Sequence, residues 1–310
     1  MSQTTGDGAI WAVVVTFARP ATLDSMLSAL GRQTRRPDHI LVVDNGSDVE
    51  VSRVAAMHGA EYADSGDNIG PAGGNALGMS LLLPRAADGD WLLFIDDDDE
   101  PADDSLLQRL ETFGKDAAAS DPRLAGVGIG GSLYRRQWGV FHRLEDHELT
   151  GAVELDVLFG GSLPMYRVDV IREVGAFDEQ LFWGFEEAEF GLRLRSLGYR
   201  LCAPGPLFLE ARRLAGTQGD SGGPRRTPLD KAAWRRYYSV RNSTVLARRY
   251  GGPAASTIAG VGGAAKGMLA LARGRRPIAE IVLPAKGAAD AYRGRLGRRI
   301  DPGLNSKVSA

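Results

Sequence analysis

Four consecutive aspartates, Asp96 to Asp99, are the residues in this sequence whose type and spacing most directly suggest chemistry. They follow the apolar run Trp91-Leu92-Leu93-Phe94-Ile95 and are followed at once by Glu100. Carboxylates this close raise one another's pKa and oppose folding unless a cation neutralises them. Their hard oxygen donors select Mg2+ or Mn2+ over softer metals, and Mg2+ takes one or two carboxylates and leaves its other positions to water and substrate phosphates. On an extended segment Asp96 and Asp98 project to one side and Asp97 to the other, so a D-x-D spacing offers two carboxylates to one ion. A solvated acidic turn capping the next helix is the alternative reading of the same residues.

The elements that must position these acids follow from periodicity. Ile10 to Thr16 (IWAVVVT) is a β-branched apolar run, expected to be a buried strand. Leu23, Met26, Leu27 and Leu30 fall on one helical stripe, with Thr22 as the expected N-cap and Asp24 and Ser25 in the first turn. His39 to Val43 reads as a second strand ending at Asp44, residues 73–83 as a helix, Trp91 to Ile95 as a third strand, and Leu106, Leu107 and Leu110 as part of a further helix. Alternating strands and helices imply parallel strands covered on both faces, and in such open sheets ligands bind outside the carboxyl ends of the strands. Three polar clusters stand at those ends: Thr16–Arg19, Asp44–Asp48 and Asp96–Asp99. Three clusters at one rim point to a shared site.

Further along, residues 121–150 read as short strands and loops, and residues 153–163 as a strand running into a Gly-Gly bend. Residues 186–197 (EEAEFGLRLRSL) form an expected helix, acidic at its start, basic later and stopped by Gly198. Residues 199–203 return as a strand, and residues 211–229 are turn formers and basic residues, expected to be a mobile loop. Helices resume from Lys231.

The chain of 310 residues can bury a large core, and its composition is that of an ordinary soluble globular protein. Its one cysteine, Cys202, excludes an internal disulfide and fits a reducing setting. The start, MSQTTGDGAIW, has no basic or long apolar run, so no signal peptide is expected, and no uncharged apolar stretch reaches membrane-spanning length. A net charge of −2 conceals an asymmetry: residues 231–300 carry 15 Lys and Arg against Glu280 and Asp290, a balance of +13, which leaves −15 for residues 1–230. An acidic body with a basic extension suggests two surfaces with two tasks.

Five stretches in order, VVVTFARP, VVDNGS, NIGPAGGNALGM, FIDDDDEP and FGGSLPMYRVDVIREVGAFDEQLFWGFEEAEFGLRLRSLGYR, resemble family-2 glycosyltransferases of the GT-A nucleotide-sugar fold, over residues 10–205. NIGPAGGNALGM and the later WRRYYSVRNSTVL resemble most closely the bacterial cell-wall galactofuranosyl- and rhamnosyltransferases. The resemblance implies an α/β fold: an open mixed sheet flanked by helices over residues 1–230, with a basic helical extension over 231–310. It implies an inverting transfer, dependent on Mn2+ or Mg2+, from a nucleotide-sugar donor (UDP-galactofuranose or dTDP-rhamnose) to a glycan or polyprenyl-linked acceptor.

The same resemblance implies roles. Thr16, Phe17 and Arg19 would hold the nucleotide at the first strand end. Asp44, with Asn45, would recognise the base, since a carboxylate can accept from a uracil N–H; an Asx-type turn with Asn45-Gly46 is the alternative. Asn68, Gly70, Gly73 and Gly74 would let the backbone approach the ribose and diphosphate. Asp96 and Asp97 would lie on the donor side, with Asp96 and Asp98 on the metal. Glu187 would be the base that takes the acceptor hydroxyl proton, with Glu186 and Glu189 orienting it; acids favoured by a helix N-terminus explain the three glutamates equally well. Gly160 and Gly161 would make room for acceptor or sugar, and Trp183 would stack on a sugar ring or pack in the core. The family often places a metal-ligating histidine about twenty residues after the acidic motif; here Glu210 stands in that place, and none of the histidines at 39, 58, 142 and 147 fits it.

Residues 254–293 mix Ala/Gly-rich apolar segments with arginines, which suits peripheral docking on the inner face of a cell membrane; packing on the catalytic domain or a homo-oligomer interface are the alternatives. An acidic body without an aromatic-basic stripe argues against nucleic acid. The G-x-G-x-x-G of a dinucleotide-dependent oxidoreductase and the Gly-rich basic loop of a nucleotidylyltransferase are both missing after the first strand, where the chain reads TFARPATL. A degenerate glycosyltransferase fold acting as a scaffold is the non-enzymatic alternative.

Overall fold

The computed structural model describes residues 8–217 and 232–302. β1 (Ile10–Thr16) is buried along its whole length, and its alternation sorts the core into two layers. Trp11, Val13 and Val15 enter one hydrophobic cluster, while Ile10, Ala12 and Val14 enter the other. α1 (Pro20–Arg32) covers the second layer with the expected stripe Leu23, Met26, Leu27 and Leu30. Its N-cap is Arg19 rather than Thr22, because Pro20, which has no N–H to satisfy, occupies the first helical position.

The strands β2 (His39–Asp44), β3 (Glu61–Asp64) and β4 (Trp91–Asp96) join β1 in parallel, in the order β3-β2-β1-β4. Registration places Thr16 beside Asp44 and Val15 beside Asp96, so the three polar clusters share one rim. β3 and the short helix α2 (Val49–Met57) lie where sequence periodicity assigned no element, because both are brief and mixed in polarity. α3 (Gly70–Leu82) lies over the first layer, and α4 (Leu106–Ser120) adds Leu106, Leu107 and Leu110 to the second.

Beyond β4 the sheet becomes mixed. β5 (Leu124–Val127), β6 (Gly131–Arg135), β7 (Val140–His142), β8 (Ala152–Leu155), β9 (Val157–Leu158), β10 (Met165–Arg167) and β11 (Arg200–Pro204) complete the strands among the described residues. The eight-stranded sheet continues from β4 through β10, β5 and β11 to β8, with β10 antiparallel to both neighbours; β7, β6 and β9 form a small second sheet. α5 (Val168–Val174) and α6 (Glu186–Ser196) pack on the first layer through Ile171, Phe190 and Leu194. This is the open, helix-flanked α/β architecture expected.

The loop expected over 211–229 begins instead as the end of α7 (Gly205–Leu214); residues 218–231, with the expected boundary at 230, lie outside the described residues. The extension is helical. α8 (Ala233–Leu246) packs along Leu283–Tyr292, where Gly287 lets the backbones meet and the buried Tyr237 hydroxyl donates to Asp290 at 2.8 Å. The helix Pro253–Arg273 is long and apolar enough to cross a membrane by length and composition, because its alanines and glycines leave few charges within an 18-residue window.

Gly74 and Gly78 decide how closely α3 can approach β1. A Cβ on Gly78 would lie 2.4 Å from Val13 Cγ1, and one on Gly74 would lie 2.6 Å from Val15 Cγ1. Replacing Gly78 by Ala therefore forces the helix off the sheet, and overpacking of this kind costs roughly 1–3 kcal/mol. Denaturant unfolding of Gly78→Ala is expected to show that loss; an unchanged midpoint would mean that the two elements are not in this contact.

Candidate active site

The chain turns sharply as β4 ends. The Asp99 N–H donates to the Asp96 carbonyl at 3.3 Å, closing a turn over the four aspartates. This changes which carboxylates meet. Carboxylate oxygens of Asp96, Asp98 and Asp99 lie within 4.8 Å of one another, so Asp99 joins the expected pair. An extended segment would have sent Asp99 the other way; the turn returns it. Asp97 is fully buried and points inward, accepting from the Thr16 hydroxyl at 2.5 Å.

Arg19 is the counter-charge built into the fold. Its guanidinium bridges Asp97 at 2.5 Å and Asp98 at 2.7 Å. Thr16, Arg19 and Asp97 thus brace the acidic turn from β1. Burial, followed by the charges of Asp99, Asp98 and Asp97, pushes the Asp96 carboxyl up to about 7. Burial also raises Asp97 to about 6, against the pull of the Thr16 hydroxyl and Arg19, and it raises Asp99 with help from Asp98. Three hard oxygen donors, converging and still short of positive charge, fit Mg2+ or Mn2+.

The second acidic group reaches the same place from α6. At Gly160, in the turn Gly160–Ser162 that follows β9, an added Cβ would lie 2.5 Å from Glu187 Oε1 and 2.7 Å from Asp96 Oδ2. At Gly161 it would lie 2.9 Å from Asp99 Oδ2. The two glycines therefore sit between the β4 turn and the start of α6, and any side chain there would fill the space the acids face. Burial foremost, then the charges of Glu186 and Asp96, raises Glu187 well above the carboxylate range. Glu186 is buried and likewise raised by burial to about 7, with Oε2 lacking a partner. Beneath them the Tyr166 hydroxyl is buried and unpartnered. Phe159, 38% exposed, and Phe141 add an aromatic edge beside Gly160.

Several expected site residues make defined contacts within the fold. Asp44 is fully buried: Oδ1 accepts from the Gly46 N–H at 2.7 Å, and Oδ2 from the Asp48 N–H at 2.7 Å and the Tyr62 hydroxyl at 3.0 Å. It holds the Asx-type turn that Asn45-Gly46 offered as the alternative reading. Asn45 donates to the Gly70 carbonyl at 3.0 Å, and Asn68 accepts from the Gly70 N–H at 3.0 Å, so both shape the start of α3. Gly70, Gly73 and Gly74 are buried in that helix and allow close packing; at Gly70, with φ +71°, a Cβ would lie 2.0 Å from the Phe182 carbonyl oxygen. Glu189 points into a buried network with Tyr250 at 2.8 Å and Arg193 at 3.2 Å. Glu210 pairs with Arg109 at 2.9 Å and is not in the carboxylate cluster. Trp183 packs edge-on against Trp234, with Arg235 over its ring. Phe17 is 42% exposed at the rim.

Comparison with known proteins follows the same lines. Residues 11–175 match the sequence profile described as Glycosyl transferase family 2. The chain is 33% identical over 199 residues to Galactofuranosyltransferase GlfT1 of Mycolicibacterium smegmatis. It is 34% identical over 200 residues to the protein of that name from Mycobacterium tuberculosis. These alignments take in 60% of this chain and 65% and 64% of the relatives, so the chain spans just under two thirds of their length. In fold it is similar to the mannosyltransferase PcManGT from Pyrobaculum calidifontis in complex with GDP-Man and Mn2+, with a TM-score of 0.53 and 15% identity over 93% of this chain and 81% of that one.

The raised carboxyls have a consequence for stability. Asp96 and Glu186 near 7 and Asp97 near 6 hold protons more tightly than the unfolded chain, where such groups titrate near 4. The folded state binds more protons, so stability is fullest at low pH within this range and falls as pH rises from about 4 through about 7. Thermal unfolding in chelator is expected to give a higher midpoint at about pH 6 than at about pH 8, with Mn2+ restoring more at the higher pH. Equal or greater stability of the metal-free chain at the higher pH would contradict the crowding of these acids.

Proposed function

The chain belongs to glycosyl transferase family 2, and on that premise we propose that it transfers a galactofuranosyl residue from a nucleotide-diphosphate donor to a hydroxyl of a cell-envelope glycan. The observation that carries this reading is the meeting of Glu187 and Asp96 at Gly160: a carboxylate from the start of α6 faces the acidic turn of β4 across a residue without a side chain. The galactofuranosyl donor is supported by the likeness to the two mycobacterial relatives.

In this reading Asp96, Asp98 and Asp99 hold Mn2+ or Mg2+, which when bound supplies positive charge to the diphosphate leaving group. Arg19, half-exposed at the rim, pairs with Asp98 and keeps it aimed. Glu187 accepts the proton of the acceptor hydroxyl, the hydroxyl oxygen bonds to the anomeric carbon, and the bond from that carbon to the phosphate oxygen breaks with its electron pair leaving on the diphosphate. A single displacement from the opposite face inverts the anomeric configuration. Partial burial suits Glu187 to this task, because a less hydrated carboxylate is a stronger base. Gly160 and Gly161 leave the space between base and donor for the reacting sugars.

The extension supports a lipid-linked acceptor at a membrane surface. Ile258, Val261 and Leu269 are exposed on one helix and Ile278 is 79% exposed beyond it, with Lys266, Arg273, Arg275 and Arg276 exposed around them. Apolar side chains rimmed by cations suit an anionic bilayer.

Two outcomes are expected. Glu187→Gln should lower turnover by at least about 100-fold, the scale of a lost general base, and leave Mn2+-dependent nucleotide binding nearly unchanged; normal turnover would remove Glu187 from the role. Ile278→Glu with Val261→Glu should reduce co-sedimentation with vesicles rich in anionic lipid, whereas unaltered binding, or equal binding of wild type to neutral vesicles, would speak against this surface.

A further inference from the structure

The loop that delivers Glu186 and Glu187 is held in an unusual conformation. Phe182 has φ 60° and ψ −62°, and the Trp183 N–H donates to the Leu181 carbonyl at 2.6 Å, which defines a γ-turn of the rare left-sided kind. Gly184 follows at φ +75° and Phe185 at φ 72°, immediately before α6 begins. Non-glycine residues in such regions persist only where their surroundings over-determine them.

The surroundings here are two side chains of α8. Arg241 is fully buried and donates to the carbonyls of Leu181 at 2.7 Å, Gln180 at 3.3 Å and Gly297 at 2.6 Å. Its Nε donates to the side-chain oxygen of Asn242 at 2.9 Å, which fixes the direction of the Asn242 amide. That amide nitrogen lies at 2.9, 3.0 and 2.7 Å from the carbonyl oxygens of Leu181, Trp183 and Gly184. Tyr237 and Tyr238 stack their rings near the guanidinium, and the Tyr238 hydroxyl donates to the Ile300 carbonyl. The Gly297 N–H returns a bond to the Gln180 carbonyl at 2.6 Å. A buried guanidinium satisfied by carbonyls and not by a carboxylate fixes geometry without neutralising a charge at the site.

We propose that Arg241 and Asn242 are positioning residues for the transfer: α8 of the basic extension clamps the 180–184 turn and thereby sets Glu187 against the acidic turn of β4. The extension is then part of the catalytic unit as well as a surface. This rests on the reading of Glu187 as the base. It assigns a task to the segment WRRYYSVRNSTVL.

The test is steady-state release of UDP from UDP-galactofuranose with Mn2+, alongside calorimetric binding of UDP with Mn2+. Asn242→Asp keeps the shape and replaces the donating amide with an acceptor facing three carbonyls. Misplacement of a reacting group by about 1 Å costs on the order of 100-fold, so kcat should fall by about that factor while the UDP dissociation constant stays within about twofold. Val240→Ala, in the packing between α8 and its neighbouring helices, should lower the melting temperature and leave kcat unchanged. If Asn242→Asp does not fold, Asn242→Ser reads the same division between kcat and binding. An active wild type with an equally fast Asn242 variant overturns the assignment, as does an equal kcat loss in Val240→Ala, or a parallel loss of UDP affinity. A wild type that neither releases nor binds UDP overturns the functional reading itself, and the clamp's role falls with it.

Discussion

Mutual repulsion among carboxylates at one sheet rim is the constraint around which this structure is organised. Asp96, Asp97, Asp98 and Asp99 are confined to a single turn, and Glu187 is brought up to them across Gly160. One guanidinium, Arg19, meets two of the four aspartates. Burial first, and then the neighbouring carboxylates, push Asp96 up to about 7 and favour proton uptake in the free chain, and a divalent ion with a diphosphate would meet the remaining charge in the loaded one. The fold tolerates the arrangement because β1, β2 and β4 are buried strands whose ends cannot move apart.

Holding the acids is divided between two parts of the chain. The β1 end supplies Thr16 and Arg19 to the aspartate turn, while α8 supplies Arg241 and Asn242 to the turn before α6. These supports differ in kind. Arg19 neutralises charge, whereas Arg241 binds carbonyl oxygens and adds no ion pair at the acids. Such a division lets the aspartate turn and the turn before α6 be held by separate parts of the chain.

Much of this was legible in the sequence, and the failures share a cause. Strand and helix periods located β1, α1, β2, β4, α6 and β11, and strand polarity placed the three polar clusters at one rim. The Asp96–Asp98 pairing assumed an extended chain; the backbone turns there, and Asp99 comes round to join them. The glycines of NIGPAGGNALGM signalled close backbone approach, and within the fold the partners are Val13, Val15 and Phe182. Asp44 shows the same limit: an aspartate at a strand end can serve a turn or a ligand, and the turn contacts became visible only in the structure. Arg241 and Asn242 were hidden because their partners are carbonyls about sixty residues away, and main-chain acceptors leave no signature in side-chain pattern.

The central claim is that the aspartate turn and Glu187 form one cation-centred site. The most direct measurement is anomalous diffraction from crystals soaked in Mn2+ and UDP. The account predicts a single strong peak about 2.1 Å from carboxylate oxygens of Asp96, Asp98 or Asp99, as hard-cation coordination requires, with the diphosphate between it and Gly160. Ordered UDP without a peak, or a peak held by residues away from that turn, would contradict it.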